Sequence, residues 1–247
     1  MKKENINLDI CITLRCNTNC LNCIKFCNKE DITGLDYSDS DMTMGQINEF
    51  VYQIESLNIK NLFASICLTG GEPLLHPDIE KIIVKMEKLK KQEYVQTLLI
   101  NSNKLIDALP SLQKYIVNYS EPKDNPQKHN VAFLHPSEFS KKIQTYRRCS
   151  HYRKNTIVLS YMGYTQCCAS DAYIRLFALD ELISNHLPKK TLLKKMDKIC
   201  KHCPFGSDDL VPLEKDMGCP VSDIYEKEAD KNRKGRKITK RFPERNK

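Results

Sequence analysis

The chain lacks any apolar run approaching the roughly 20 residues that a bilayer crossing needs, which excludes a membrane-spanning helix. It also lacks a recognisable secretory leader. The start, MKKENINLDI, places charges first, but Asn and Asp interrupt the apolar stretch that follows. The expectation is a cytoplasmic protein in a reducing compartment, without a membrane partner. No internal repeat is visible, and no recognised RNA- or DNA-binding motif accompanies the basic residues. What remains is a chain of 247 residues, 40% apolar and 28% charged, sized for one large domain with at most a small appendage.

Cysteine is in excess, at 12 residues, and four of them (Cys16, Cys20, Cys23 and Cys27) are tightly grouped. In a reducing compartment clustered cysteines are metal ligands more often than disulfides. Isolated Cys11 and Cys67 read as buried small hydrophobes. Charge is also uneven. From Glu226 to Lys247 ten Lys or Arg face four Asp or Glu, which accounts for most of the net charge of +8. That segment, with few apolar residues and little periodicity, reads as a disordered basic tail over 226–247. It is a solvated tail or a contact for an anionic surface or nucleic acid.

Alternating, β-branched Ile6 to Thr13 read as a strand delivering the first cysteines at its C-terminal end. Thr43-x-x-Gln46 is a capping box opening a helix with Ile47, Phe50, Val51, Ile54 and Leu57 at helical spacing. Asn61–Leu68 is a second strand bounded by Gly70-Gly71, Pro77–Lys91 an amphipathic helix, and Tyr94–Ile100 a third strand. Shorter strands are expected at Tyr115–Tyr119 and Asn130–Leu134. Strand and helix in alternation predict a parallel α/β sheet, with ligands at the carboxyl ends of the strands. Those ends are Cys16–Cys23, Gly70–Pro73 and Asn101–Asn103. From about residue 148 the pattern changes. Ile157–Tyr161 and Tyr164–Cys168 flank Met162-Gly163 as a hairpin, a helix is expected over Ala178–Leu187, and Cys200-Lys-His-Cys203 follows.

Cys16-x3-Cys20-x2-Cys23 puts three thiolates on one loop, enough for three corners of an iron–sulfur cube with one iron left without a protein ligand. A closed zinc site competes, with Cys27 as fourth ligand. Gly70 and Gly71 permit close backbone approach to a ligand, Pro73 fixes the exit, and Glu72 with nearby carbonyls can accept hydrogen bonds from an ammonium group.

On these residues (Cys16, Cys20, Cys23 and Gly70–Pro73) the chain resembles the radical S-adenosylmethionine superfamily. The resemblance implies a 4Fe–4S cluster that binds and reductively cleaves S-adenosylmethionine, yielding a 5′-deoxyadenosyl radical that takes a substrate hydrogen. It implies that Gly70, Gly71, Glu72 and Pro73 contact the cosubstrate's methionine end, with Ser102, inside Asn101–Asn103, near its ribose or methionine. Asn22 stands where the family often has an aromatic, and Phe26 is the nearest substitute. The short spacing to the next cysteine implies a partial (β/α) barrel truncated to about five strands, over residues 1–147.

Cys149-x13-Gly163-x4-Cys168, followed by Cys200-x2-Cys203, resembles the twitch form of the SPASM extension. That implies a small cysteine-rich hairpin-plus-helix domain over 148–225, holding a second, auxiliary 4Fe–4S cluster on Cys149, Cys168, Cys200 and Cys203. Cys167 is the alternative to Cys168, Cys219 the alternative to Cys149, and zinc the alternative metal. His151 and His202 read as exposed loop histidines. The resemblance implies an oxidoreductase-type enzyme acting on a small hydroxylated metabolite or a peptide, with flavodoxin or ferredoxin as electron donor. The rival reading is a zinc-binding interaction module, RNA-associated through its tail.

Overall fold

The computed structural model describes residues 6–20, 23–103, 110–117, 135–138, 156–188, 197–204, 221–236 and 241–246. Its centre is a six-stranded sheet built from β1 (Ile6–Thr13), β2 (Phe63–Gly70), β3 (Val95–Asn101), β4 (Ile116–Val117), β5 (Thr156–Ser160) and β6 (Gly163–Thr165). The strand order is β4-β3-β2-β1-β5-β6. Every adjacent pair is parallel except β5 and β6, which turn about Met162 as an antiparallel hairpin. Four of the parallel strands fall within residues 1–147, where about five were expected, and the fifth, β5, comes from beyond that segment. The hairpin is not a separate sheet, however, because β5 pairs along β1 from Asn7–Thr156 to Cys11–Ser160. The expected strand at Asn130–Leu134 lies outside the described residues.

The helices follow from local chemistry. α1 is a single turn over Glu30–Thr33, closed by Gly34 in the left-handed region. In α2 (Met44–Leu57) Thr43 and Gln46 cap each other reciprocally at 3.1 Å. Its Ile47, Phe50, Val51 and Ile54 turn inward. α3 (Ile79–Lys91) buries Ile79, Ile82, Ile83, Met86 and Leu89 and ends on Lys88, Lys90 and Lys91, favourable at a helix C-terminus. These stripes pack on Leu8, Ile10, Ile12, Ile66, Leu68, Leu98, Ile100 and Leu159, which form one core with them. Each such side chain contributes about 1.5–3 kcal/mol by leaving water.

The other face of the sheet is polar. Parallel strands covered on both sides read as near-continuous apolar runs, but here the alternate positions are Asn7, Asp9 and Cys11 on β1, and Ser65, Cys67 and Thr69 on β2. The register places Asn7 between Thr156 and Ser65, and Asp9 between Val158 and Cys67. Two cavities lie along this face, beside a small buried cluster of Cys11, Leu14, Cys27, Tyr37 and Val158.

Two C-terminal expectations are corrected. The expected helix at Ala178–Leu187 is instead α5 (Ser170–Phe177), stopped by Ala178 in the left-handed region, with only a 3-10 turn at Asp180–Leu182 after it. Two four-residue turns, α4 (Pro110–Gln113) and α6 (Asp197–Cys200), and α7 (Asp223–Arg233) complete the described α-helices. α7 overturns the reading of a disordered tail over the described residues of 226–247. Ser222 caps it, Tyr225 and Ala229 are fully buried, and Asn232 Nδ2 donates to the carbonyls of Thr33 and Leu176. Further on, Phe242 is buried against Tyr164, edge to face with centroids 5.5 Å apart. Among the described basic residues Arg236 pairs with Glu228 and Arg245 with Glu49. Among the described residues no helix is long and apolar enough to cross a membrane.

Candidate functional site

The loop that follows β1 is fastened at its base before it presents a cysteine. Thr13 Oγ1 donates to Asp41 at 2.6 Å and accepts from the Arg15 amide at 3.0 Å, while Arg15 pairs with the same Asp41 at 2.7 Å. From the other side the Gly71 amide donates to Thr13 O at 2.9 Å and the Glu72 amide to Arg15 O at 2.7 Å. A Cβ on Gly70 would lie 2.0 Å from Thr13 O, and one on Gly71 2.1 Å from Arg15 O. These glycines therefore serve the approach of one backbone to another. The sequence alone pointed to a ligand as the reason for them.

Glu72 is held by two backbone amides. It is fully buried, one oxygen accepting from the Leu74 amide at 3.0 Å and the other from the Asn103 amide at 2.7 Å. It ties the end of β2 to the end of β3, and neither Glu72 nor Pro73 lines a cavity at the cysteine loop. Ser102 is likewise fully buried, whereas its neighbours Asn101 and Asn103 do line that cavity. Asn103 also donates through its side chain to Asn17 on the cysteine loop.

The cavity measures about 240 Å³ and brings together Cys16, Cys20 and Cys23 with Gly70 and Gly71. Thr18 sits between two of the thiols, 3.0 Å from Cys16 Sγ and 3.7 Å from Cys20 Sγ. Asn28, in the left-handed region, donates to the carbonyls of Cys16 and Thr18 at 2.8 and 2.9 Å and so holds the loop closed. Burial raises the Cys16 pKa, hydrogen bonds with Thr18 lower it in part, and Cys23 and Cys20 raise it again. Three thiolates here repel one another, so a bound cationic centre is what would keep all three deprotonated. Cys27 is buried behind them, its thiol paired with Cys23 and its pKa pushed up by that bond and by burial. Among the described residues no three His, Cys, Asp or Glu side chains converge on a single ion. The three thiols instead surround a space, and that donor set fits an iron–sulfur cube bound at three corners.

Lys25 lies in the wall of the same cavity. It is 5% exposed, its ammonium has no hydrogen-bond partner, and its carbonyl is held by Arg175 Nη2 from α5. Burial alone would lower its pKa, but Cys11 and then Asp171 outweigh that and raise it.

The second cysteine group is only partly assembled by the described residues. Cys200 and Cys203 share an apolar cluster with Cys167, Tyr173 and Tyr225. Cys168 lines the cavity with Cys16, Cys20 and Cys23, and Cys167 and Cys168 both line a second, larger cavity. Cys149, Cys219 and His151 lie outside the described residues. His202 is not the exposed histidine expected. It stacks on Phe177 with ring centroids 4.1 Å apart and meets His135 at 3.0 Å, and burial lowers its pKa to about 4, helped by Lys201.

A feature the motifs did not single out is a larger cavity of about 490 Å³ on the polar face of the sheet. Asn7, Ser65, Cys67 and Thr156 line it, and it shares Asp9, Thr69, Asn101 and Cys168 with the cysteine-loop cavity. Its signal was present in the alternation Asn7-x-Asp9-x-Cys11 and Ser65-x-Cys67-x-Thr69, read only as strand periodicity.

Comparison with known proteins gives partial likenesses, and no family model matches the chain. It is 30% identical over 114 residues to molybdenum cofactor biosynthesis protein 1 of Homo sapiens, covering 45% of this chain and 16% of that one. The Bos taurus protein of the same name is 33% identical over 109 residues, covering 43% and 16%. The chain thus spans about a sixth of the length of these curated relatives. Among solved structures, BtrN in complex with AdoMet and 2-DOIA aligns with a TM-score of 0.48 at 14% identity, covering 82% of this chain and 94% of that one. Streptococcus suis SuiB bound to precursor peptide SuiA aligns with a TM-score of 0.32 at 20% identity, covering 45% and 23%.

Proposed function

We propose that the chain is a radical S-adenosylmethionine enzyme whose chemistry takes place where the cysteine-loop cavity meets the polar face of the sheet. The observation that carries this is that Cys16, Cys20, Cys23, Gly70 and Gly71, the residues of the two motifs, share the wall of one cavity. The partial identity to proteins named for cofactor biosynthesis agrees with it. A 4Fe–4S cluster held by the three thiolates would pass one electron to S-adenosylmethionine, giving methionine and a 5′-deoxyadenosyl radical that removes a hydrogen atom from the substrate.

The chain's own contribution is positioning. Thr18 and Asn28 orient the thiols, the Gly71 and Glu72 amides fix the loop base, and Glu72 joins the loops after β2 and β3. The adjoining cavity, with its amides, hydroxyls and one carboxylate, favours a small hydroxylated substrate over a peptide. In this reading the second cysteine group, with Cys200 and Cys203, would hold an auxiliary cluster, which would offer one-electron oxidation, and a flavodoxin or ferredoxin would be the electron donor.

The test is anaerobic preparation, refilling with iron and sulfide, and assay for 5′-deoxyadenosine with dithionite. A brown protein with about four irons at the first site that forms 5′-deoxyadenosine is expected, and Cys16→Ala, Cys20→Ala or Cys23→Ala should abolish both. A colourless zinc protein that leaves S-adenosylmethionine intact would overturn the proposal.

A further inference from the structure

The larger cavity, of about 490 Å³, is the feature that the cysteine motifs leave unexplained. Its volume suits a small-molecule site, but such sites are mostly apolar, and this one is not. Among its described lining residues Leu99 is the only aliphatic one, and none is aromatic. The polar groups stand in rows across the sheet. Thr156, Asn7 and Ser65 lie side by side on β5, β1 and β2, and Asp9 and Cys67 belong to the next row toward the cysteine loop. All five are half-buried, so an occupant of the cavity can reach them. Ser65 Oγ donates to Asn7 Oδ1 at 2.9 Å. A hydroxyl that donates still has acceptor positions, and a carboxylate has about four of them. Such a wall suits hydroxyl groups, which donate and accept, and offers no surface for a ring or an apolar side chain.

Charge narrows the ligand further. Asp9 is the one carboxylate among the described residues lining either cavity, and it lines both. Its charge is already offset. Asp9 and Asp171 both act electrostatically on the buried Lys25 ammonium, and Asp171 faces Arg175 at 3.6 Å. Lys25, Arg175, Asp171 and Asp9 therefore sum to zero before any ligand arrives. The Lys25 ammonium is itself sealed off, so an anionic ligand would meet only the Asp9 carboxylate. A cationic ligand would add its charge to that of Lys25. Both are penalised where water is scarce.

We infer that this cavity is a pocket for a small, uncharged, non-aromatic polyol. Asp9 accepts from hydroxyls at one end of the ligand, and Asn7, Ser65 and Thr156 hold hydroxyls at the other. Successive same-face residues of a strand are about 6.6 Å apart, so the ligand carries hydroxyls at both ends of a span of that order. Thr69, Asn101 and Cys168 belong to both cavities together with Asp9, which places the Asp9-bound end beside the cysteine loop. Calling this ligand the substrate, and that end the one that loses hydrogen, rests on the function proposed above, whereas the polyol pocket stands without it.

The test uses the full chain as purified, dialysed to equilibrium against labelled erythritol, glucose or myo-inositol, with gluconate and glucosamine as charged counterparts. At least one neutral polyol should bind saturably, more tightly than either charged compound, and should slow deuterium exchange in β1 and β2. Measuring binding directly avoids the general stabilisation that excluded polyols give any folded protein. Asp9→Asn should weaken binding about tenfold to a hundredfold. Thr156→Val, which removes one hydroxyl and keeps the branched side chain, should weaken it about threefold to tenfold. If Asp9→Asn does not fold, Thr156→Val alone decides. Three results overturn the inference: no neutral polyol binds saturably, a charged compound binds more tightly than every neutral one, or the folded variants bind as wild type does. Failure of the radical reading shows separately, as absence of 5′-deoxyadenosine from refilled wild type, since the dialysis needs neither iron nor cosubstrate.

Discussion

The Glu72 carboxylate at the end of β2 accepts a 2.7 Å hydrogen bond from the Asn103 amide at the end of β3. With its other oxygen on the Leu74 amide, one fully buried side chain satisfies two backbone donors and fixes the rim of the cysteine-loop cavity. Glu72→Ala leaves both amides without partners and should cost about 1–3 kcal/mol for each. Glu72→Gln keeps one acceptor and turns a donor toward the second amide, so its loss should be intermediate. Urea denaturation of the three proteins checks the order.

Phe242 is the residue that removes the C-terminal segment from solvent. It is buried against Tyr164, and Gln46 Nε2 donates to its carbonyl at 3.0 Å. Phe242→Ala should cost about 3–5 kcal/mol. A solvated tail would show no change in the denaturation midpoint.

What was legible from sequence divides along physical lines. Strands β1 to β3 and helices α2 and α3 were readable because each buries a periodic apolar stripe in one core, as in Ile79, Ile82, Ile83, Met86 and Leu89. α7 was not, because its inward stripe is Tyr225, Ala229 and Asn232, one small residue and one amide whose burial is satisfied by the Thr33 and Leu176 carbonyls. No hydropathy pattern announces a buried amide. The pairing of β5 with β1 was also hidden, since residues far apart in the chain carry no local sign of their register. At the site, the spacing of Cys16, Cys20 and Cys23 and the Gly-Gly pair were visible. The burial of Lys25 and the place of Cys168 in the wall of the cysteine-loop cavity depend on a loop and a helix start that spacing does not encode.

His76 gives the fold a pH dependence of known sign. One ring nitrogen lies 3.0 Å from the Met42 carbonyl and the other accepts from the Asp78 amide at 3.1 Å, an arrangement that requires the neutral ring. Burial lowers its pKa from the ordinary 6.5, outweighing the opposing hydrogen bond to Met42. The unfolded chain then takes up a proton that the folded chain refuses. The stabilisation is complete above the ordinary imidazole pKa and is lost as pH falls through the lower folded value. Melting temperatures measured from pH 7 to pH 5 should fall more steeply for wild type than for His76→Gln, which keeps a donor and an acceptor without titrating.

The choice between Cys167 and Cys168 can be settled by iron content. Gly-x4-Cys spacing selects Cys168, but Cys167 is the residue that shares an apolar cluster with Cys200 and Cys203. The local cause is the turn into α5. Ser170 Oγ accepts from the Cys167 amide at 3.1 Å and donates to its carbonyl at 2.7 Å, which fixes Cys167 toward the core. The next residue, Cys168, joins the wall of the cysteine-loop cavity, which Cys167 does not line, while both line the larger cavity. If the proposed auxiliary cluster forms with both Cys200 and Cys203, Cys167→Ala should remove about half of the iron bound by refilled protein, and Cys168→Ala should leave it near the wild-type amount. Electron paramagnetic resonance of the reduced proteins should show the same division, one cluster signal missing in the first variant and both present in the second. Loss of iron in Cys168→Ala with retention in Cys167→Ala would restore the assignment made from spacing, and would mean that the α5 entrance turns over when metal binds.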